Sequence, residues 1–199
     1  MAINIAIFAS GAGTNAQNII DYYKSKLNES NISVNVNLVI SNNPKAYVLE
    51  RAKKENIEFY VISKEDLKSE DLIIEILDQY CIDLIILAGF ILKIPNKIVS
   101  LYQNKIINIH PSLLPKFGGK GMYGSSVHNA VINSKENESG ITIHLVDDKY
   151  DNGKVIFQAK CPVSIDDTPE SLANKIHALE AQYFPDVINN YIMDNLESF

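Results

Sequence analysis

The sequence is poor in cysteine, in basic charge and in uninterrupted apolar runs, and each shortage removes a class of protein. Two cysteines stand in 199 residues, Cys81 inside an apolar run and Cys161 just before Pro162, and neither belongs to a CxxC pair or another metal-ligand spacing. Both are expected as reduced core thiols. Lys and Arg number 18 against 24 Asp and Glu, a formal net charge of −6. That balance argues against nucleic acid as a partner, because such binding shows a basic footprint, yet it leaves room for a small anion at a local site. No apolar run reaches the roughly 18 residues of a membrane span. The start, MAINIAIFAS, has no basic n-region, so a cytoplasmic protein off the membrane is expected. No linker, repeat or low-complexity stretch interrupts residues 1–199, which read as a single domain. A chain of this length buries roughly 70% of its unfolded surface and closes its core without a disulfide or metal. Oligomeric state does not follow from the pattern.

What is present is a regular alternation. Ile3–Ala9, Val34–Ile40, Ile57–Ile62 and Ile82–Ala88 are short and β-branched, and they predict strands. Between them lie helix-length segments, Thr14–Leu27, Pro44–Asn56 and Glu65–Tyr80. Such alternation predicts βαβ crossovers and an open, mostly parallel twisted α/β sheet flanked by helices. The run CIDLIILAG is apolar at successive positions, which predicts a central strand covered on both faces. A fifth strand, Lys105–Ile109, leads into a Pro- and Gly-rich loop, His110–Gly124, long enough to suggest function. Two more strands, Gly140–Val146 and Lys154–Val163, flank the polar turn DDKYDNG. Thr168 then fits an N-cap and Pro169 the first position of a long terminal helix.

Two places carry chemistry. Strand one runs into Ser10-Gly11-Ala12-Gly13-Thr14-Asn15-Ala16, a G-x-G-x-x-A pattern followed by a helix. Amides at such a helix start face an anion, and glycines let a phosphate come close. A dinucleotide site also wants an acid at the end of the second strand, where this chain reads Ser41-Asn42-Asn43-Pro44, so NAD is the weaker alternative. A turn that merely links strand to helix is the plain one. In the second half, alternation along the fifth strand sets Asn108 and His110 on one side, at the carboxyl end where open α/β sheets bind ligands. Taken singly, His110 could equally be structural, Asp151 a solvated turn residue, and His144 either a cleft residue or a satisfied core imidazole. His128 and His177, on predicted helices, read as surface or packing residues, and no metal-ligand cluster stands out.

Four segments, in order from about residue 3 to residue 185, resemble the phosphoribosylglycinamide formyltransferase family of the purine pathway. SGAGTNAQNII is similar to its phosphate turn and AGFILKIP to its folate-binding segment. NIHPSLLPKF resembles its catalytic signature, and HLVDDKYDNGKVIFQAKCPV its second catalytic loop. The resemblance implies a Rossmann-like formyltransferase fold, with phosphate binding in the N-terminal half and folate binding and catalysis in the C-terminal half. It implies transfer of a formyl group from the cosubstrate 10-formyltetrahydrofolate to the amine of 5-phosphoribosylglycinamide, without a metal. Carried over by motif, Gly13, Thr14 and Asn15 hold the substrate phosphate, and His177 and Glu180 make a second substrate contact. Asn108, His110 and Asp151 are the catalytic group. Ile91, Leu92, Lys93 and Ile94, with Asp147, Asp148, Lys149, Tyr150, Asp151 and Asn108, cradle the folate. The family often has a basic residue where this chain has Leu92, and Lys64 stands for a basic residue before the third helix. The stretch GGKGMYGSSVHNAV is longer than the corresponding loop of many members, and its Lys120 and Tyr123 could reshape the substrate entrance.

The chemistry that follows needs no activated Ser or Cys, since the acceptor amine is itself the nucleophile. Asn108 and a protonated His110 would stabilise the oxyanion, with Asp151 raising the imidazole pKa and helping to move the proton. Relatives that formylate methionyl-tRNA carry an additional C-terminal domain for which this chain has no room. Formyltetrahydrofolate hydrolases usually have an extra N-terminal domain, and they are the nearer alternative. A nucleotide-binding protein without formyl transfer is the more distant one.

Overall fold

A computed structural model describes residues 1–26 and 32–199 of the chain. It divides into two compact units, residues 1–107 with 195–199 and residues 108–194. In the first, β1 (Ala2–Phe8) leads to α1 (Thr14–Ser25), β2 (Ser33–Ser41), α2 (Tyr47–Lys54), β3 (Glu58–Val61), α3 (Lys64–Ser69), α4 (Asp71–Gln79), β4 (Leu84–Leu87) and α5 (Asn96–Leu101). The strand β5 (Ile106–His110) carries the chain into the second unit, which holds α6 (Ser125–Asn133), β6 (Glu138–Leu145), β7 (Val155–Pro162) and α7 (Pro169–Asp194). Hydrogen bonding orders the strands β3-β2-β1-β4-β5-β6-β7. The sheet is parallel where β1 meets β2 and β4 and where β2 meets β3, and antiparallel between β6 and β7. The expected open, mostly parallel α/β sheet is therefore the fold.

Burial follows the apolar pattern. Every residue of β4 is buried, as the unbroken run 84–87 requires of a strand covered on both faces. Ile5, Ile7, Phe8, Ile19, Leu38, Ile40 and Leu77 fill the core of the first unit. In the second, Leu172, Ile176, Phe184 and Ile188 line the buried side of α7. Thr168 caps that helix as expected: the Ser171 amide donates to Thr168 Oγ1 at 3.1 Å, and the Thr168 amide donates to Ser171 Oγ at 2.9 Å.

The order of strands places one functional feature. Successive crossovers run outward from β1 in one direction to β2 and β3, and in the other to β4. The loops leaving the carboxyl ends of β1 and β4 therefore diverge at a topological switch point, where open α/β sheets take ligands.

Two expectations need correction, and a third falls partly outside the described residues. The segment Glu65–Tyr80 is two helices, broken at Glu70 with φ 63°. On one unbroken helix Ile76 would lie about 180° from Leu67. The reversal at Glu70 re-phases the pieces so that Leu67 and the Ile73, Ile76, Leu77 set are all buried. The helix predicted over 14–27 is described as far as Ser25, and Leu27 lies outside the described residues. Neither cysteine belongs to the core: Cys81 is exposed and Cys161 half-buried. Cys81 sits in the turn after α4 at φ 47°, outside the apolar strand that follows, and Cys161 lies on β7, whose burial alternates with solvent. Among the described residues no helix is long and apolar enough to cross a membrane.

Candidate functional site

Two regions, one in each unit, hold the residues singled out from the sequence. In the first unit, β1 ends in a turn whose Gly13 has φ 70° and serves as the N-cap of α1 without a side-chain cap. A Cβ at Gly13 would fall 2.5 Å from Val48 Cγ2, so both the backbone angle and the space demand glycine. The first turn of α1 contains no acidic residue that would neutralise the positive end of its dipole. Gly13 is buried, Thr14 exposed and Asn15 half-buried.

Ser10 joins this turn to the segment after β4. Its amide donates to the Gly89 carbonyl at 3.1 Å, its hydroxyl donates to Asn42 Oδ1 at 2.5 Å, and the Ile91 amide donates to the same hydroxyl at 3.0 Å. Ile91 is exposed, Leu92 half-buried and Lys93 exposed, with Lys93 Nζ donating to Asn96 Oδ1 at 3.3 Å. Ile94, by contrast, is 3% exposed and belongs to the core. Lys64 is exposed at the start of α3.

In the second unit the structure gathers Asn108, His110 and Asp151, and adds His144. His110 Nδ1 lies 3.5 Å from Asp151 Oδ2, and His144 Nε2 lies 3.8 Å from Asp151 Oδ1. Asn108 Nδ2 is 3.0 Å from His144 Nε2. His144 Nδ1 sits 2.8 Å from the Leu145 carbonyl, which can only accept, so the hydrogen of the neutral ring is on Nδ1. Nε2 is then an acceptor, which fixes the amide of Asn108 with its NH2 toward the ring. The same logic applies to His110, whose Nε2 lies 2.8 Å from the Phe117 carbonyl and so carries the hydrogen. In the neutral ring, Nδ1 then presents its lone pair to Asp151.

Asp151 is not a solvated turn residue. It adopts φ 51°, its side chain is 12% exposed, and the Gly119 amide donates to Oδ2 at 2.8 Å. Burial opposes its ionisation, but the neighbouring His144, His110 and Gly119 amide together outweigh that cost and hold its carboxyl below the ordinary carboxylate range. For His110 the balance falls the other way from the expectation. Burial lowers its pKa by more than Asp151 and the Phe117 carbonyl raise it, with His144 also lowering it, so the resting imidazole is neutral.

The rest of the late loop supports this cluster from behind. Asp147 accepts from the Lys149 amide at 2.9 Å and from Asn152 Nδ2 at 2.8 Å, so both of its oxygens shape the turn. Asp148, Lys149 and Tyr150 are exposed. A Cβ at Gly153 would meet the Leu145 carbonyl oxygen at 1.8 Å, which closes the hairpin only for glycine. On α7, His177 is exposed and Glu180 is buried. His128 is a buried packing residue of α6, its pKa lowered chiefly by burial.

Sequence reasoning left His144 undecided and did not find Ser10, Phe117 or Gly119. An alternating position in ITIHLV was the available signal for His144. Phe117 and Gly119 act through backbone groups, which no residue type announces. Among the described residues no group of three His, Cys, Asp or Glu side chains could hold a metal ion.

Residues 3–188 match the family model described as formyl transferase. The chain is 37% identical over 188 residues to phosphoribosylglycinamide formyltransferase of Haemophilus influenzae, covering 92% of this chain and 84% of that protein. It is 34% identical over 189 residues to the chloroplastic phosphoribosylglycinamide formyltransferase of Arabidopsis thaliana, covering 92% of this chain but spanning only 63% of that protein's length. The crystal structure of phosphoribosylglycinamide formyltransferase from Anaplasma phagocytophilum is similar with a TM-score of 0.86 at 33% identity, covering 98% of this chain and 89% of that one.

Proposed function

The chain belongs to the phosphoribosylglycinamide formyltransferase family of formyl transferases, and from that membership we propose that it transfers the formyl group of 10-formyltetrahydrofolate to the amine of 5-phosphoribosylglycinamide. The observation that carries the proposal is the cluster of Asn108, His110, His144 and Asp151 in one largely buried group, with Asn108 hydrogen-bonded to His144 and both imidazoles within 4 Å of the Asp151 carboxylate. Gly13, Thr14 and Asn15 hold the acceptor phosphate on the uncapped start of α1, and His177 and Glu180 contact the same substrate. Ile91, Leu92, Lys93 and the backbone of Ile94, with Lys64, Asn108 and the turn Asp147–Asp151, receive the folate.

In this mechanism the amine nitrogen attacks the formyl carbon directly, and the carbonyl oxygen takes up negative charge. The Asn108 amide, oriented by His144, has a second N–H for that oxygen, and one such donor supplies about 3–4 kcal/mol. His110 enters neutral and receives, by way of the Asp151 carboxylate, the proton that the amine loses. Asp151 faces the nitrogen that gains it, and the resulting imidazolium has an acceptor at each end, Asp151 and the Phe117 carbonyl. Collapse of the intermediate breaks the bond from carbon to the folate nitrogen, which takes the proton back from His110 as it leaves as tetrahydrofolate. Proton transfer of this kind is worth roughly 10²–10⁴ in rate. The partners are small molecules rather than nucleic acid or membrane, and a cytoplasmic setting goes with the proposal.

The test is to mix the purified protein with 10-formyltetrahydrofolate, with and without 5-phosphoribosylglycinamide, and follow the folate absorbance. Release of tetrahydrofolate only in the presence of the acceptor is expected. Release at the same rate without it would make the protein a hydrolase.

A further inference from the structure

We propose that Arg51 is the positioning residue that makes the glycine-rich turn selective for a phosphate, by tying back the Ala12 carbonyl and holding an unpaired positive charge beside it. The proposal rests on the phosphate role given to that turn above.

An anion-binding turn must show its N–H groups and hide its carbonyls. Here each carbonyl of residues 11–13 is taken by a donor. Gly11 O accepts from the Val48 amide at 3.1 Å and Gly13 O from the Gln17 amide at 2.9 Å. Ala12 O has no such backbone donor and accepts instead from Arg51 Nε at 2.8 Å. Two of the three ties therefore come from α2, which also packs Val48 against Gly13. If Arg51 were lost, the Ala12 carbonyl would be free to rotate toward the anion and repel it.

The charge of Arg51 is as telling as its hydrogen bond. It is the only arginine in a chain with 24 acidic residues. Among the described residues no carboxylate forms an ion pair with it. The groups it touches are neutral: the guanidinium carbon stands 5.1 Å from the centre of the Tyr47 ring, and Nη1 donates to Gln17 Oε1 at 3.4 Å. Gln17 turns its other end toward acid, with Nε2 donating to Glu55 at 2.9 Å and to Asp21 at 3.0 Å. Glu55 is paired separately with Lys24. A neutral amide thus stands between the guanidinium and the two nearby carboxylates, where a direct pair would cancel the charge. A guanidinium stays charged across the whole working pH range, so the field it adds at the turn is permanent.

The experiment compares the wild-type chain with Arg51→Met and Arg51→Lys. Inorganic phosphate is titrated by phosphorus NMR, and steady-state kinetics are run with 5-phosphoribosylglycinamide and with its dephosphorylated riboside. Arg51→Met is expected to weaken phosphate binding about tenfold and to raise KM for the phosphorylated acceptor by a similar factor, with the loss on KM rather than kcat. The riboside, which offers no anion, should lose little by comparison. Arg51→Lys keeps the charge but not the planar fork, and should fall between, at about threefold. Should Arg51→Met fail to fold, by its thermal melt, the Lys variant decides. Phosphate affinity equal to wild type in the folded variant, or an equal loss on both acceptors, overturns the proposal. A wild-type chain that neither binds phosphate nor prefers the phosphorylated acceptor overturns the phosphate role of the turn itself, and the role of Arg51 with it.

Discussion

The glycine-rich turn of the first unit and the polar cluster of the second are built from different parts of the chain. The turn is made of backbone: consecutive residues, one left-handed glycine, and carbonyls each tied to a donor. The cluster is made of side chains brought from β5, β6 and the late hairpin turn, with Asn108 meeting His144 across 36 positions of sequence. A backbone site depends on conformation and tolerates changes of side chain at its exposed positions. A side-chain site depends on the identity and protonation of each member, and burial decides the latter. The two regions should therefore fail in different ways.

The largest effect is expected from breaking the cluster. Asn108→Ala and His110→Ala should each lower kcat by about 10²–10⁴ with little change in KM for the acceptor, measured by steady-state folate absorbance. A variant that raised KM and spared kcat would show the cluster acting like the turn, and would remove that residue from the chemical step.

Gly13→Ala tests the other side. It forces a side chain into a left-handed position already filled by Val48, at a cost of about 1–3 kcal/mol in stability. Thermal melting should register that loss, and acceptor KM should rise more than kcat falls. The titration of His110 by NMR should not move, since the groups that shift its pKa, Asp151, the Phe117 carbonyl and His144, all lie in the second unit.

The smallest effect sharpens the electrostatics. Removing the carboxylate in Asp151→Asn takes away a contribution that raises the His110 pKa, so the imidazole should titrate at still lower pH. An unmoved titration would mean that the two groups are not coupled. The same groups set a pH dependence of stability. Asp151, with its folded pKa depressed, stabilises the fold above its unfolded pKa, and that contribution is lost as pH falls through the lower folded value. His110, also depressed, contributes fully above about 6.5 and loses that contribution as pH falls below it, because the unfolded chain takes up the proton first. Melting temperature should therefore fall on the acid side; in Asp151→Asn the part of that fall in the carboxylate range should shrink, while the part that His110 sets below about 6.5 should grow.

Much of the fold was legible because its signals are local. The apolar runs behind β1, β2 and β4 need only a short window, and Thr168-Pro169 marks a helix start by the hydrogen bonds those residues can and cannot make. Glu65–Tyr80 has the length of one helix, but burying both Leu67 and Ile76 requires two helices of different phase, which segment length does not show. Cys81 was misplaced because composition says where a residue type usually lies, and a left-handed turn at the end of a helix overrode it. Asp151 could not be told from its neighbours by spacing. Only folding the hairpin back, with Gly119 and two imidazoles around the carboxylate, distinguishes it from Asp147 and Asp148.

The sequence by itself determined the succession of strands along the chain, the glycine needed after β1, and the residue types available for catalysis, because these depend on periodicity, backbone angles and chemical identity. Tertiary structure alone decided which side chains meet, that Arg51 stands beside the Ala12 carbonyl with no ion-paired carboxylate among the described residues, and that His110 rests neutral. Those are matters of distance and desolvation, which arise only when segments far apart in the chain exclude water from one another.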